Sequence, residues 1–126
     1  MKKLLRSTIL LSILCLSSLM ATAADLTIPL SGPVSQKKVK LQCDEHAKSL
    51  GLPAGPFVMT YLNGDGNYLA VLPINGHPLV FSGVISADGS RYAAQRFIWW
   101  DVGSRGIHLY ADSGQVKEQT ACHVAQ

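Results

Sequence analysis

Tyr68-Leu69-Ala70-Val71-Leu72-Pro73-Ile74-Asn75-Gly76-His77-Pro78-Leu79-Val80-Phe81 holds two short apolar runs separated by a two-residue turn signal. A type I′ hairpin needs positive φ at both central positions, and Asn-Gly accepts that at least cost. Residues 68–74 therefore read as one strand and residues 78–84 as its antiparallel return. Pro73 and Pro78 flank the turn, where a missing backbone donor removes least from the ladder.

The same grammar extends in both directions. Upstream, Asn63-Gly64-Asp65-Gly66-Asn67 is a second reversal, with a strand before it over residues 57–62. Residues 44–55 are polar and then carry Gly51, Pro53 and Gly55, so they read as a loop with one helical turn around residues 45–50. Val39-Lys40-Leu41-Gln42-Cys43 alternates as a half-buried strand does. Downstream, Ala87-Asp88-Gly89-Ser90 reverses the chain and residues 91–96 and 97–102 follow as strands. A glycine-bracketed loop over residues 103–106 comes next, then a strand over 107–110. Asp112-Ser113-Gly114 makes the last turn before residues 116–122. Helical periodicity is almost absent. Seven or eight short strands at this spacing make an all-β antiparallel barrel or sandwich, and a closed barrel is preferred because few charged strand residues are present to blunt exposed edges.

The first twenty-three residues read as a secretory signal: Lys2, Lys3 and Arg6 precede an apolar stretch from Ile9 to Leu16, and Ala21-Thr22-Ala23 offers small residues for cleavage. A single domain over residues 24–126 follows. A membrane-spanning anchor needs roughly 20 apolar residues, whereas this run is shorter and is interrupted by serines. Lipid attachment at Cys15 is the other reading, but Leu14 stands where a small residue is wanted. The expected product is a soluble periplasmic protein with no membrane anchor.

Cleavage removes three basic residues and no acidic ones, leaving eight of each and no net charge. Such a domain has no basic stripe for phosphates, which argues against a nucleic-acid partner. Two cysteines remain, Cys43 and Cys122, and in an oxidising compartment a disulfide between them is the default. Zinc is the alternative, since Cys43-x-x-His46 and Cys122-His123 supply two thiols and two imidazoles. Adjacent Cys122 and His123 would point to opposite faces of a strand, however, and neither pair has the spacing of a structural zinc fold.

The chain carries no nucleophile elbow, zinc-protease helix, phosphate loop or calcium loop. Its four histidines are scattered, so an enzyme is not expected, nor is a cofactor. A binding protein must instead show exposed anchors. Trp99 and Trp100 are consecutive on a strand, so at most one fills the core. Pairing of two copies through strand edges or Trp99 is left open. Asp88, Arg91 and Arg105 sit on glycine-supported turns, as binding residues do and as ordinary solvated loop residues also do.

Gly66-Asn67-Tyr68-Leu69-Ala70-Val71-Leu72-Pro73, then Leu79-Val80-Phe81, then Ser86-Ala87-Asp88-Gly89-Ser90-Arg91-Tyr92, then Trp99-Trp100 resemble the MliC/PliC family of bacterial inhibitors of c-type lysozyme. The resemblance spans roughly residues 39–122 and lies nearer the soluble periplasmic type. It implies an eight-stranded antiparallel barrel closed by a disulfide between Cys43 and Cys122. It also implies two loops, of the types S-G-x-x-Y and S/T-K-G, that enter the lysozyme cleft, where the serine and lysine meet the catalytic carboxylates.

A retaining glycosidase holds those two carboxyl groups about 5 Å apart, so a cation with hydroxyl donors set between them blocks the site. Carried over, Gly89 and Tyr92 match the first motif, while Asp88 replaces its serine; Ser86 or Ser90 would then supply the hydroxyl. In the second, Asp101-Val102-Gly103 lacks the lysine, and Ser104-Arg105-Gly106 restores hydroxyl, cation and glycine three residues on. Arginine's fork can engage a carboxylate bidentately, which makes Arg105 the first candidate cation and Arg91 the second. The expected lysozyme-binding set is Ser86, Asp88, Gly89, Ser90, Arg91, Tyr92, Asp101, Val102, Gly103, Ser104 and Arg105. Asp88 and Val102 favour the rival reading, a periplasmic binding or adhesion module on the same barrel that has lost lysozyme inhibition.

Overall fold

The computed structural model describes residue 25, residues 27–114 and residues 117–126. The signal sequence expected over residues 1–23 lies outside the described residues.

Eight strands form a closed barrel in which each is hydrogen-bonded to its sequence neighbours and β1 meets β8. They are β1 (Ser35–Cys43), β2 (Phe57–Gly64), β3 (Asn67–Ile74), β4 (His77–Val84), β5 (Ser90–Ala94), β6 (Phe97–Asp101), β7 (Ile107–Asp112) and β8 (Lys117–Val124). Every pairing is antiparallel. The Asn75-Gly76 hairpin forms as read, with φ of 51° and 75°, and Asp65-Gly66 makes the same kind of reversal with 52° and 74°.

Alternation along the strands decides which side chains fill the interior. Leu41, Met59, Ala70, Leu72, Phe81, Trp99 and Leu109 point inward and are excluded from solvent, while Val58, Val80 and Val124 stand on the outer wall. Trp99 takes the core position and Trp100 the outer face, half-buried. Trp99 is wholly buried and so offers no surface to a second copy, while the sheet is continuous around the barrel with its shortest ladder between β1 and β8.

The helical turn expected around residues 45–50 is a 3-10 helix over Glu45–Leu50. Asp44 caps it, accepting a hydrogen bond from the backbone N–H of His46 at 3.0 Å. Ala47, Leu50 and Leu52 join the core cluster, and the backbone N–H of Asn75 donates to the carbonyl of Gly51 at 2.8 Å. The 3-10 helix thus lies against the β3–β4 hairpin and closes one end of the barrel.

Cys43 and Cys122 are direct partners across the β1–β8 seam, with their sulfurs bonded at 1.94 Å. The bond consumes both thiols of the zinc alternative. His123 is exposed on the other face, and no group of three or more metal-ligating side chains occurs among the described residues.

The main departures from the expected boundaries lie between β5 and β6 and at the start of β1. Residues 91–96 and 97–102 read as strands meeting end to end, whereas Gln95 reverses the chain between β5 and β6 at a φ of 51°. β1 begins four residues earlier than expected, because Ser35 to Lys38 pair with β2 although their side chains are polar and exposed.

Candidate functional site

In an up-and-down barrel alternate connections gather at one end. Opposite the 3-10 helix, the β2–β3 turn, the β4–β5 loop (residues 85–89) and the β6–β7 loop (residues 102–106) share the open end. The two loops named as candidates are therefore neighbours in space.

They are also bonded. Arg105 donates from Nη2 to a carboxylate oxygen of Asp88 in an exposed ion pair. The Trp100 indole N–H donates to the carbonyl of Asp88 at 2.8 Å, so the outward tryptophan of β6 staples the β4–β5 loop. Ser86 donates its hydroxyl to that same carbonyl. Gly89, at a φ of 63°, rests against Asp101 and Val102 so closely that any Cβ would collide with the Asp101 carbonyl. Only glycine satisfies both conditions there.

The β6–β7 loop is set from inside the barrel. Trp99 donates from its indole N–H to the Tyr61 hydroxyl at 2.9 Å, and Tyr61 donates to one carboxylate oxygen of Asp101 at 2.8 Å. The other oxygen of Asp101 accepts from the backbone N–H of Gly103 at 2.9 Å. Burial pushes the Tyr61 phenol well above its ordinary range, so it remains a donor throughout the physiological range. A single 3-10 turn over Gly103–Arg105 then lifts Ser104 and Arg105 to the tip, closed by Gly106 N–H on the carbonyl of Gly103 at 3.1 Å.

The eleven expected residues thus divide. Asp88, Gly89, Ser90, Arg91, Gly103, Ser104 and Arg105 are exposed, and Ser86 and Val102 are half-buried. Tyr92 is 6% exposed, turned into the barrel beside Tyr61 with ring centroids 5.5 Å apart, because it falls on the inward alternation of β5. Asp101 is half-buried, with its carboxylate oxygens accepting from Tyr61 and from the backbone N–H of Gly103.

Neither arginine is an unattached fingertip. Arg105 is paired with Asp88, and the guanidinium of Arg91 lies 5.9 Å from the centroid of the Trp100 ring. The pair answers the difficulty of a carboxylate at the family's serine position. Arg105, chiefly through its hydrogen bond, holds the Asp88 carboxyl below its ordinary range, so the tip presents a compensated pair. Of the candidate hydroxyls, that of Ser86 is used within its own loop, while Ser104 stands at the tip beside the cation.

Sequence reasoning missed Tyr61, and it weighed Trp99 and Trp100 as core or interface anchors rather than as the side chains that hold the loops. The alternation of β6 assigned Trp99 and Trp100 to opposite faces, but which loop each would hold depends on pairings between residues 12 to 40 positions apart.

Three comparisons bear on this geometry. The family model for MliC, membrane-bound lysozyme-inhibitor of c-type lysozyme, matches residues 42–115. A membrane-bound lysozyme inhibitor of C-type lysozyme from Pseudomonas aeruginosa is 36% identical over 100 residues, covering 77% of this chain and 72% of that protein. A protein of the same description from Cupriavidus necator is 36% identical over 70 residues, 56% of this chain and 50% of the relative. Among solved structures, that of Pseudomonas aeruginosa MliC in complex with hen egg white lysozyme is similar with a TM-score of 0.62 and 34% identity, covering 83% of this chain and 98% of that one.

Proposed function

The chain belongs to the family of membrane-bound lysozyme inhibitors of c-type lysozyme, and on that footing we propose that it inhibits a c-type lysozyme by setting the joined tip of its two loops into the enzyme's cleft. The observation that carries the reading is the junction itself. Asp88 and Arg105, 17 residues apart, meet at one end of a rigid barrel, with Trp100 fixing one loop and Asp101 the other. Rigidity matters because ordering a mobile loop on binding costs affinity.

In the cleft, Arg105 exchanges Asp88 for an enzyme carboxylate, or bridges the two, while Ser104 adds a hydroxyl donor. An exposed ion pair contributes little to folding, so the exchange is cheap. Val102, standing where the family pattern has its cation, packs against Gly89 and serves to hold the loops together. The protein acts as a binding partner rather than a hydrolase, and it requires no cofactor.

We place it in the periplasm, released by cleavage after residue 23. The relatives are described as membrane-bound, so the test is whether Cys15 takes up labelled palmitate when the full chain is expressed in a bacterial host. Labelling would replace the soluble form by a lipid-anchored one without altering the inhibitory reading.

Residues 24–126, purified, are expected to slow lysis of a peptidoglycan suspension by hen egg white lysozyme at micromolar concentration or below. Arg105→Ala should weaken this more than Lys117→Ala. Undiminished lysis at saturating protein would overturn the proposal.

A further inference from the structure

The compensated tip raises the question of where affinity comes from. Asp88 and Arg105 satisfy one another before any partner arrives, so moving them into a cleft trades one set of charge contacts for another with little net gain. Tight association then has to draw on apolar surface removed from water beside the tip.

Such a surface adjoins it. Ile85 is 99% exposed at the start of the β4–β5 loop, Tyr68 is 59% exposed at the start of β3, and Val84 stands between them on the end of β4. A Cβ at Gly83 would come within 2.9 Å of the Cβ of Tyr68, so the glycine lets the tyrosine lie down across the end of β4. Together they line an open groove of about 600 Å³ whose far wall is Ser86, Gly89 and Arg91 of the candidate loop. The exposed valines of the barrel wall, Val58, Val80 and Val124, stand clear of this groove, as scattered apolar residues on soluble proteins do. Here three such residues adjoin one another, and Ile85 precedes Ser86 in the chain, so any partner gripping the tip is brought onto them.

We propose that Tyr68, Val84 and Ile85 form an apolar ledge that seats on the flank of the lysozyme cleft while the Asp88–Arg105 tip enters it, and that the ledge supplies the larger share of the binding free energy. The inference rests on the proposed inhibition of c-type lysozyme. Its physical basis is that a saccharide-binding cleft is walled mainly by apolar and aromatic side chains, against which a tyrosine and an aliphatic pair pack well.

Calorimetric titration with hen egg white lysozyme tests the ledge. Ile85→Ser and Tyr68→Ala should each raise Kd by roughly tenfold or more, as central apolar anchors do. Val80→Ser, on the outer wall, should leave Kd within about twofold, as peripheral contacts do. Thermal unfolding of all three variants should stay close to that of the parent, since each side chain is exposed.

If the parent binds and the two ledge variants bind equally tightly, the ledge is wrong and the inhibitory reading stands. If the parent does not bind, the inhibitory reading fails and takes the ledge with it. If sedimentation shows the parent to be a dimer that Ile85→Ser dissociates without change in lysozyme affinity, the ledge belongs to a second copy of this chain and the proposal is overturned.

Discussion

Asp88 and Arg105 are coupled before binding, and their separate removal should therefore have unequal effects. Arg105→Ala deletes the cation and also leaves the Asp88 carboxylate uncompensated, facing the acidic pair of a retaining glycosidase. Asp88→Ala leaves Arg105 free to engage that pair, so binding should be kept or improved. The double variant should bind better than Arg105→Ala alone, by roughly tenfold, because a like-charge clash has been relieved. Titration of the four proteins with hen egg white lysozyme reads this directly, and additive effects would show that the two side chains do not act together in the complex. In the parent, where Arg105 holds Asp88 below its ordinary range, binding should not depend on the titration of Asp88 between pH 5 and pH 8. The candidate positions were legible from the glycine-supported turns and the family pattern. The ion pair was not, since only the assembled barrel brings residues 88 and 105 together.

Among the elements, the 3-10 helix depends most on one side chain. Asp44 accepts from the backbone N–H of His46, from the hydroxyl of Thr120 and from the backbone N–H of Ala121, tying the helix to β8. The Thr120 hydroxyl bond is the chief cause that holds its carboxyl below the ordinary range; burial opposes it, and the backbone N–H groups of Ala121 and His46 add to the lowering. A carboxyl depressed in the folded state adds stability above its unfolded value, near 3.8, and that stability is lost as pH falls through the depressed value. Asp44→Asn replaces one acceptor oxygen by a donor and should cost about 1 kcal/mol at neutral pH. The gap in Tm between parent and variant should hold steady from pH 7 to pH 5 and close below pH 4; a gap unchanged at pH 2.5 would mean that the charge contributes nothing. The helix was visible in sequence as a turn bounded by Gly51 and Pro53. The Gln95 reversal was not, because glutamine and arginine carry no turn signal and the positive φ is imposed by pairing of β5 with β6. The first half of β1 escaped for a related reason: its polar residues have no alternation to read, and only the ladder with β2 makes them a strand.

At the scale of the whole molecule, the strand count and all-β class were legible because each Gly-, Asn- or Asp-bearing turn reset a short apolar run. Barrel and sandwich share that pattern, so closure was legible only as a preference, from the scarcity of charged strand residues to blunt exposed edges, until the family resemblance specified it. What closes the barrel is a short seam, since β1 and β8 share only three residue pairs, Leu41–Val124, Gln42–His123 and Cys43–Cys122, against seven between β1 and β2. The disulfide sits in that seam and spans 79 residues, a loop for which chain-entropy arguments give about 4 to 5 kcal/mol. Small domains are stable by only about 5 to 15 kcal/mol in total, so Cys43→Ala/Cys122→Ala should lose a large part of its stability and unfold at a markedly lower urea concentration. The loss should reach the tip as well. Cys122 is the ladder partner of Ile107, the first residue of β7 and the one that follows Gly106, so an opened seam frees the base of the Arg105 loop. Hydrogen exchange of the double variant under native conditions should accordingly show faster exchange at the Gly106 amide than in the parent, while the β3–β4 hairpin amides keep most of their protection. Equal urea midpoints for the two proteins would assign the closure of the barrel to the three-pair ladder and its core packing, and the tip would then owe nothing to the disulfide.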